Sequence, residues 1–111
     1  MVPNLKIYVD ETIFEASRAS LHEALPRIRD LLCEAFQVVP SACQLAIIPV
    51  VGLPDQPQLN IELLILPHAE RTGAVIRAAA EKLRDLLSTA TGAHSAVRIA
   101  HLDPATYVAL K

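Results

Sequence analysis

The sequence is short of the residues from which several kinds of site are built. It holds only three glycines among 111 residues, and no two stand together, so no glycine-rich loop is present to cradle a phosphate. It holds two cysteines, Cys33 and Cys43, at no CxxC spacing, and its His, Cys and carboxylate residues fall in no ligand pattern for a metal. No serine or cysteine sits in a nucleophile elbow. Neither a metal nor a cofactor is therefore expected, and both cysteines read as small buried hydrophobes with no reason to oxidise.

Charge is scarce as well. Asp, Glu, Lys and Arg make up 20% of the chain, with a net charge of −2 and both signs mixed along its length. Without a basic stripe or a polybasic patch, nucleic acid and membrane are not expected partners. The opening MVPNLKIYVDE carries Lys6 and Asp10 and no long apolar core, so it reads as neither a signal peptide nor a membrane span. A cytoplasmic location is the default expectation.

What the chain does have is apolar residues, at 52%. A length of 111 residues fits one domain, 1–111, with a core of its own. The apolar surplus exceeds what so small an interior can hide, which predicts a homo-oligomer.

Periodicity then divides the chain. Asn4 to Val9 alternates, with Leu5, Ile7 and Val9 on one face and Lys6 and Tyr8 on the other, which predicts a strand. Ser20-Leu-His-Glu23 has capping-box spacing and predicts a helix start. Leu21, Leu25, Ile28, Leu32 and Ala35 or Phe36 form its apolar stripe, ending before Pro40. Pro26 lies within this stripe, where it removes a donor and crowds the carbonyl of His22, so the helix either kinks or begins nearer Leu25. Cys43 to Val51 and Leu59 to Leu66 predict two strands joined by the loop GLPDQPQ. Their near-continuous apolar character predicts cover on both faces. A second helix is predicted from Arg71 or Thr72 to Ala90, with Val75, Ala79, Leu83, Leu86 or Leu87 and Ala90 on one stripe and Gly92 as its stop. A fourth strand follows at Ala96 to His101.

The order is βαβ twice, in halves of about 3–51 and 59–102. The halves also look alike in sequence: Arg29-Asp30-Leu31-Leu32 recurs as Arg84-Asp85-Leu86-Leu87, Asn4 to Val9 matches Asn60 to Ile65, and Ser41-Ala42 matches Ser95-Ala96. The offset stays between 54 and 56 residues throughout.

A βαβ unit opened by a near-terminal proline, PNLKIYVDE, and duplicated within one small chain resembles the tautomerase superfamily. The nearest branch by resemblance is the 5-carboxymethyl-2-hydroxymuconate isomerases, on an arginine after the third strand in LPHAERTGAV and a tail ending VALK after His101-Leu-Asp-Pro. The resemblance implies an α+β fold: a duplicated β-α-β with a four-stranded sheet, two helices on one face, and a homotrimer whose sheets surround a central channel. It also implies an isomerase that moves a proton on a small enol or unsaturated keto acid, without a cofactor. Proton transfer of this kind needs a base that is neutral near pH 7 and then returns the proton as an acid. A terminal prolyl amine in an apolar pocket near a cation meets that need.

Carried over residue by residue, the resemblance makes Pro3 the catalytic base and Arg71 the residue that anchors a carboxylate or stabilises developing charge. Tyr8, His101 and Tyr107 are candidate substrate-binding donors to an oxyanion. The sequence departs from the pattern at Ser41-Ala42-Cys43-Gln44, where the related isomerases carry an arginine, and at Asp10-Glu11, where a cation is absent. As written, Val2 holds the nitrogen of Pro3 in an amide with no basic lone pair. The expected active chain therefore starts at Pro3, for example from a GTG start codon at position 2. Three plainer alternatives stand beside this: Pro3 as a strand-leading proline, Arg71 as a solvated residue at a helix start, and His68 and His101 as structural histidines. Two other functions fit the same element order, a non-catalytic oligomeric binding protein of this fold and a ferredoxin-like βαββαβ binding module that would form dimers.

Overall fold

A computed structural model describes residues 3–111; Met1 and Val2, on which the state of the prolyl nitrogen turns, lie outside the described residues. The chain begins with strand β1, Asn4–Asp10, in which Leu5, Ile7 and Val9 are fully buried while Asn4, Lys6 and Tyr8 point the other way. Strict alternation of this kind fixes which face meets the core, because a one-residue slip would turn every apolar side chain outward.

Helix α1 spans Glu11–Phe36 and so starts nine residues before the predicted capping box. Asp10 is the true N-cap, its carboxylate accepting from Thr12 N at 2.9 Å and from Thr12 Oγ1 at 2.6 Å. Ser20 and Glu23 lie inside the helix. Their spacing is also that of neighbours one turn apart on any helix surface, which is why it misled. Pro26 neither ends nor delays α1. The carbonyl it leaves without a partner belongs to His22, and both residues are exposed on the rim of one surface cavity, where water can take the bond. α1 ends at Gln37, which adopts the left-handed conformation at φ 54°. A turn with one 3₁₀ segment, Pro40–Ala42, leads to strand β2, Gln44–Val50.

The second half repeats the plan with strand β3, Leu59–Ile65, helix α2, Gly73–Thr91, and strand β4, Ser95–His101. Thr72 caps α2 through Val75 N, and Gly92 ends it at φ 71°. The sheet order is β2-β1-β3-β4, with β1 and β2 parallel, β3 and β4 parallel, and β1 and β3 antiparallel between them. Each helix thus joins two adjacent parallel strands. The ferredoxin-like alternative is excluded on this point, since its split βαβ units place another strand between the two that each helix joins.

Both helices cover one face of the sheet, and the core lies between. The matched halves meet there residue for residue: Ala24 with Ala79, Ile28 with Leu83 and Leu32 with Leu87 are buried at one constant spacing, which also relates Gln37 to Gly92. Each fully buried Leu or Ile contributes on the order of 1.5–3 kcal/mol through removal from water. The proposed match of Ser41-Ala42 with Ser95-Ala96 does not survive, because the first pair lies in the 3₁₀ turn and the second opens β4. Nor is the sheet covered on both faces within one chain. Across β3 the open face carries Asn60, Glu62 and Leu64, and Arg98 of β4 donates to Asn60 there at 3.2 Å. Among the described residues no helix is long and apolar enough to cross a membrane.

Candidate active site

The antiparallel join of β1 to β3 decides what can meet Pro3. The start of β1 lies beside the end of β3, since Asn4 pairs with Leu64, and beside the start of β2, since Asn4 pairs with Gln44. Pro3 is buried at this end of the sheet, and its carbonyl accepts from Gln44 N at 2.9 Å. The ring is thereby anchored by its own backbone on the edge where β2 enters. Gln44 itself, at the position where the resemblance leads one to expect an arginine, is exposed and serves Pro3 through its main chain.

β3 and β4 end at the same place. His101 is the last residue of β4, pairs with Ile65, and is exposed. Leu102 N donates to Ile65 O at 2.7 Å, which pins the tail to the end of β3. Asp103 then closes a turn, accepting from the backbone N–H groups of Thr106 and Tyr107 through its carbonyl and from Ala105 N through its side chain. Tyr107 is left half-buried on this turn. Pro3, Arg71, His101 and Tyr107 therefore share one end of the molecule.

Arg71 sits between β3 and α2 and reaches back across the chain. One terminal nitrogen donates to Leu66 O and the other to Phe36 O at 3.3 Å, and the guanidinium lies over the Phe36 ring, 5.6 Å from its centre. Stacking of this kind is favourable for a weakly hydrated cation. The side chain clamps the C-terminal end of α1, where helix carbonyls lack intrahelical donors and carry partial negative charge. It is thus a partly buried residue with specific partners, and not the freely solvated one of the plainer reading. Among the described residues its buried Nε has no hydrogen-bond partner. A cavity of about 350 Å³ adjoins it, walled by Phe36, Val39, Ala42, His68 and Glu70 among others; Pro3 is not in that wall.

Tyr8 stands apart. It pairs with Asn60 and Ile48 in the second half of β1, toward the opposite end of the sheet. Its phenol is pushed above its ordinary range by burial first, and then by the neighbouring Glu62 carboxylate. With Asp10, Gln56 and Glu62 it lines a separate small cavity of about 270 Å³. Within one chain Tyr8 does not meet Pro3.

Two features escaped the sequence reading. Phe36 partners Arg71 across 35 positions of sequence, a separation no local motif reports. Cys33 and Cys43, read as separate buried hydrophobes, are each half-buried and lie with their sulfurs 3.9 Å apart; only the placement of α1 against β2 reveals this.

A four-stranded mixed sheet of two parallel βαβ units, backed by two helices and led by a buried proline, defines the class: this is the tautomerase-type fold. Among solved structures, a fused 4-OT wild-type asymmetric trimer superposes with a TM-score of 0.72 at 16% identity, covering 96% of this chain and 92% of that one. The macrophage migration inhibitory factor-like protein of Entamoeba histolytica gives a TM-score of 0.70 at 15% identity over 96% of this chain and 94% of its own. Malonate semialdehyde decarboxylase gives 0.66 at 13% identity over 98% and 92%. No protein-family profile matches the chain, and no curated protein matches it in sequence. The shared feature is therefore the fold.

Proposed function

We propose that this chain is a small isomerase of the tautomerase type, moving a proton on an enol or unsaturated keto acid with the amine of Pro3 as its base. The observation that carries the reading is the position of Pro3, buried at the head of β1 and held through its carbonyl by Gln44 N. Burial and a nearby cation both disfavour a protonated amine, and Arg71 brings such a cation to the same end of the sheet. With both terminal nitrogens of Arg71 engaged by carbonyls, its part is the field it exerts and the shape it gives the site. Direct substrate donors are then His101 and Tyr107 from the same chain, and Tyr8 only from a neighbouring one. Malonate semialdehyde decarboxylase, of the same fold, was solved as wild type and as a mutant whose first-position proline is alanine, which supports attention to this position.

The proposed assembly is a homotrimer acting on a small molecule in the cytoplasm, with the 5-carboxymethyl-2-hydroxymuconate isomerase branch as the nearest relation. Fused 4-OT forms asymmetric and symmetric trimers. The open sheet face and the exposed Val51, Leu53, Val108 and Leu110 give this chain apolar surface to cover in the same way. One observation favours the non-catalytic alternative: Gln44, not an arginine, holds the position at the start of β2 where the related isomerases carry one.

The test is ketonisation of phenylenolpyruvate by protein whose first residue is Pro3, followed by ultraviolet absorbance. Replacement Pro3→Ala should lower the rate by about a hundredfold or more, the usual worth of a positioned base. Equal rates for the two proteins would remove Pro3 from the mechanism.

A further inference from the structure

The turn between α1 and β2 carries a pair of thiols that the proton-transfer chemistry does not use. Cys33 lies in the last turn of α1, and Cys43 is the residue immediately before β2. Their sulfurs are 3.9 Å apart, whereas a disulfide needs about 2.05 Å. The remaining approach falls to side-chain rotation and to the turn Val38–Cys43, which lies outside the sheet ladder. Cys43 also lines an open cavity of about 320 Å³ with His22, Pro26, Arg29 and Gln44, so a small oxidant can reach it.

The other half of the molecule holds the matching pair. At the spacing that relates the buried helix residues, Cys33 corresponds to Ser88; each of the two accepts, through its carbonyl, the N–H of the left-handed residue that ends its helix. Cys43, just before β2, and Ser95, which opens β4, stand at equivalent points of the sheet, each two residues before the residue that pairs with its half's inner strand, Leu45 with Leu5 and Val97 with Ile61. In the second half Ser88 Oγ donates to Ser95 Oγ at 3.2 Å. One site thus appears twice, once as a hydroxyl pair that cannot be oxidised to a crosslink and once as a dithiol that can.

We propose that Cys33 and Cys43 form a reversible intrachain disulfide when the protein meets a hydroperoxide. One thiolate attacks the peroxide oxygen, giving a sulfenic acid and releasing water after protonation; the second thiol attacks that sulfur, the S–S bond forms, and a second water leaves. Two thiols and one hydrogen peroxide become one disulfide and two waters. Burial first, and then the neighbouring Cys33 thiol, push Cys43 up to about 11, with Arg29 opposing. Thiolate is consequently scarce near neutral pH, and closure speeds up as pH rises. The crosslink fixes a turn bounded by Phe36, the residue Arg71 clamps, and by Gln44, the residue that holds Pro3. This inference stands whether or not the chain is a tautomerase.

The experiment treats the reduced, full-length protein with hydrogen peroxide and follows free thiols, intact mass and the non-reducing peptide map. Both thiols should disappear together, the mass should fall by two hydrogens, a Cys33–Cys43 peptide should appear within single chains, and dithiothreitol should reverse all three. Cys33→Ser and Cys43→Ser should each abolish the crosslink. The double variant, a copy of Ser88 and Ser95, should melt with the reduced wild type, which separates loss of the crosslink from loss of the fold. Independent oxygen addition at each sulfur, crosslinks only between chains, or thiols that persist while urea-unfolded protein is oxidised would each overturn the proposal.

Discussion

The two βαβ halves of this molecule share a scaffold and differ in what they attach to it. In both, a helix buries Ala, then Ile or Leu, then Leu at matched positions against its sheet, and ends on a left-handed residue. The first half departs at its edges: it opens on the buried Pro3, runs seven residues further in its helix (26 against 19), and places cysteines where the second half has serines. Packing tolerates little change because a lost methylene leaves a cavity, whereas helix ends and strand mouths lie at the surface and accept new side chains. The candidate base and the thiol pair accordingly lie at the edges of the first half, while Arg71, His101 and Tyr107 come from the second half and its tail.

Truncating the shared core tests the equivalence most severely. Leu32→Ala and Leu87→Ala each remove a fully buried side chain and should each cost about 3 kcal/mol, measured by urea unfolding. A large inequality between them would show that the halves do not contribute alike. The helix ends should respond less, and unequally. Gly92→Gln forces a side chain into the left-handed region and should cost about 1 kcal/mol. The reverse change, Gln37→Gly, relieves that strain but loses the 2.8 Å bond from Gln37 Nε2 to Glu34 O, so it should gain less than the first change loses.

The helix starts give the smallest effects and a pH signature that tells the halves apart. Thr72→Ala should cost up to about 1 kcal/mol at any pH, since a hydroxyl cap does not titrate in the working range. Asp10→Ala should lower the melting temperature in a pH-dependent way. Hydrogen bonds from the Thr12 hydroxyl and N–H hold the Asp10 carboxyl below its ordinary range, so its folded pKa is lower than its unfolded one. Its stabilisation is complete above the unfolded value and fades as pH falls through the folded one. The gap between wild type and Asp10→Ala should therefore close in acid, while the Thr72→Ala gap stays constant.

How far the sequence could be read follows from the range of each interaction. Strand alternation and the Leu83–Leu87 stripe are local patterns, and every predicted strand lies within two residues of its observed bounds. The start of α1 was missed because Asp10 caps through only two residues of contact, while Ser20 and Glu23 imitate a stronger signal. The fold class was legible because the β-α-β pattern can be read locally in each half and recurs in the same order. The site was legible only in part: Pro3 announces itself by position, but the grip of Arg71 on Phe36 O and the meeting of Cys33 with Cys43 exist only once α1 lies against the sheet. Tyr8 looks equivalent to His101 and Tyr107 in a list of donors, and strand direction alone sends it to the other end.

The central claim is that the amine of Pro3, and not merely its ring at the head of a strand, does the chemistry. Its most direct test compares phenylenolpyruvate ketonisation by two forms of the protein at equal concentration, one beginning at Pro3 and one retaining Met1 and Val2. The prolyl-base reading predicts that the retained residues lower the rate by about a hundredfold or more; equal rates in two equally folded proteins would contradict it.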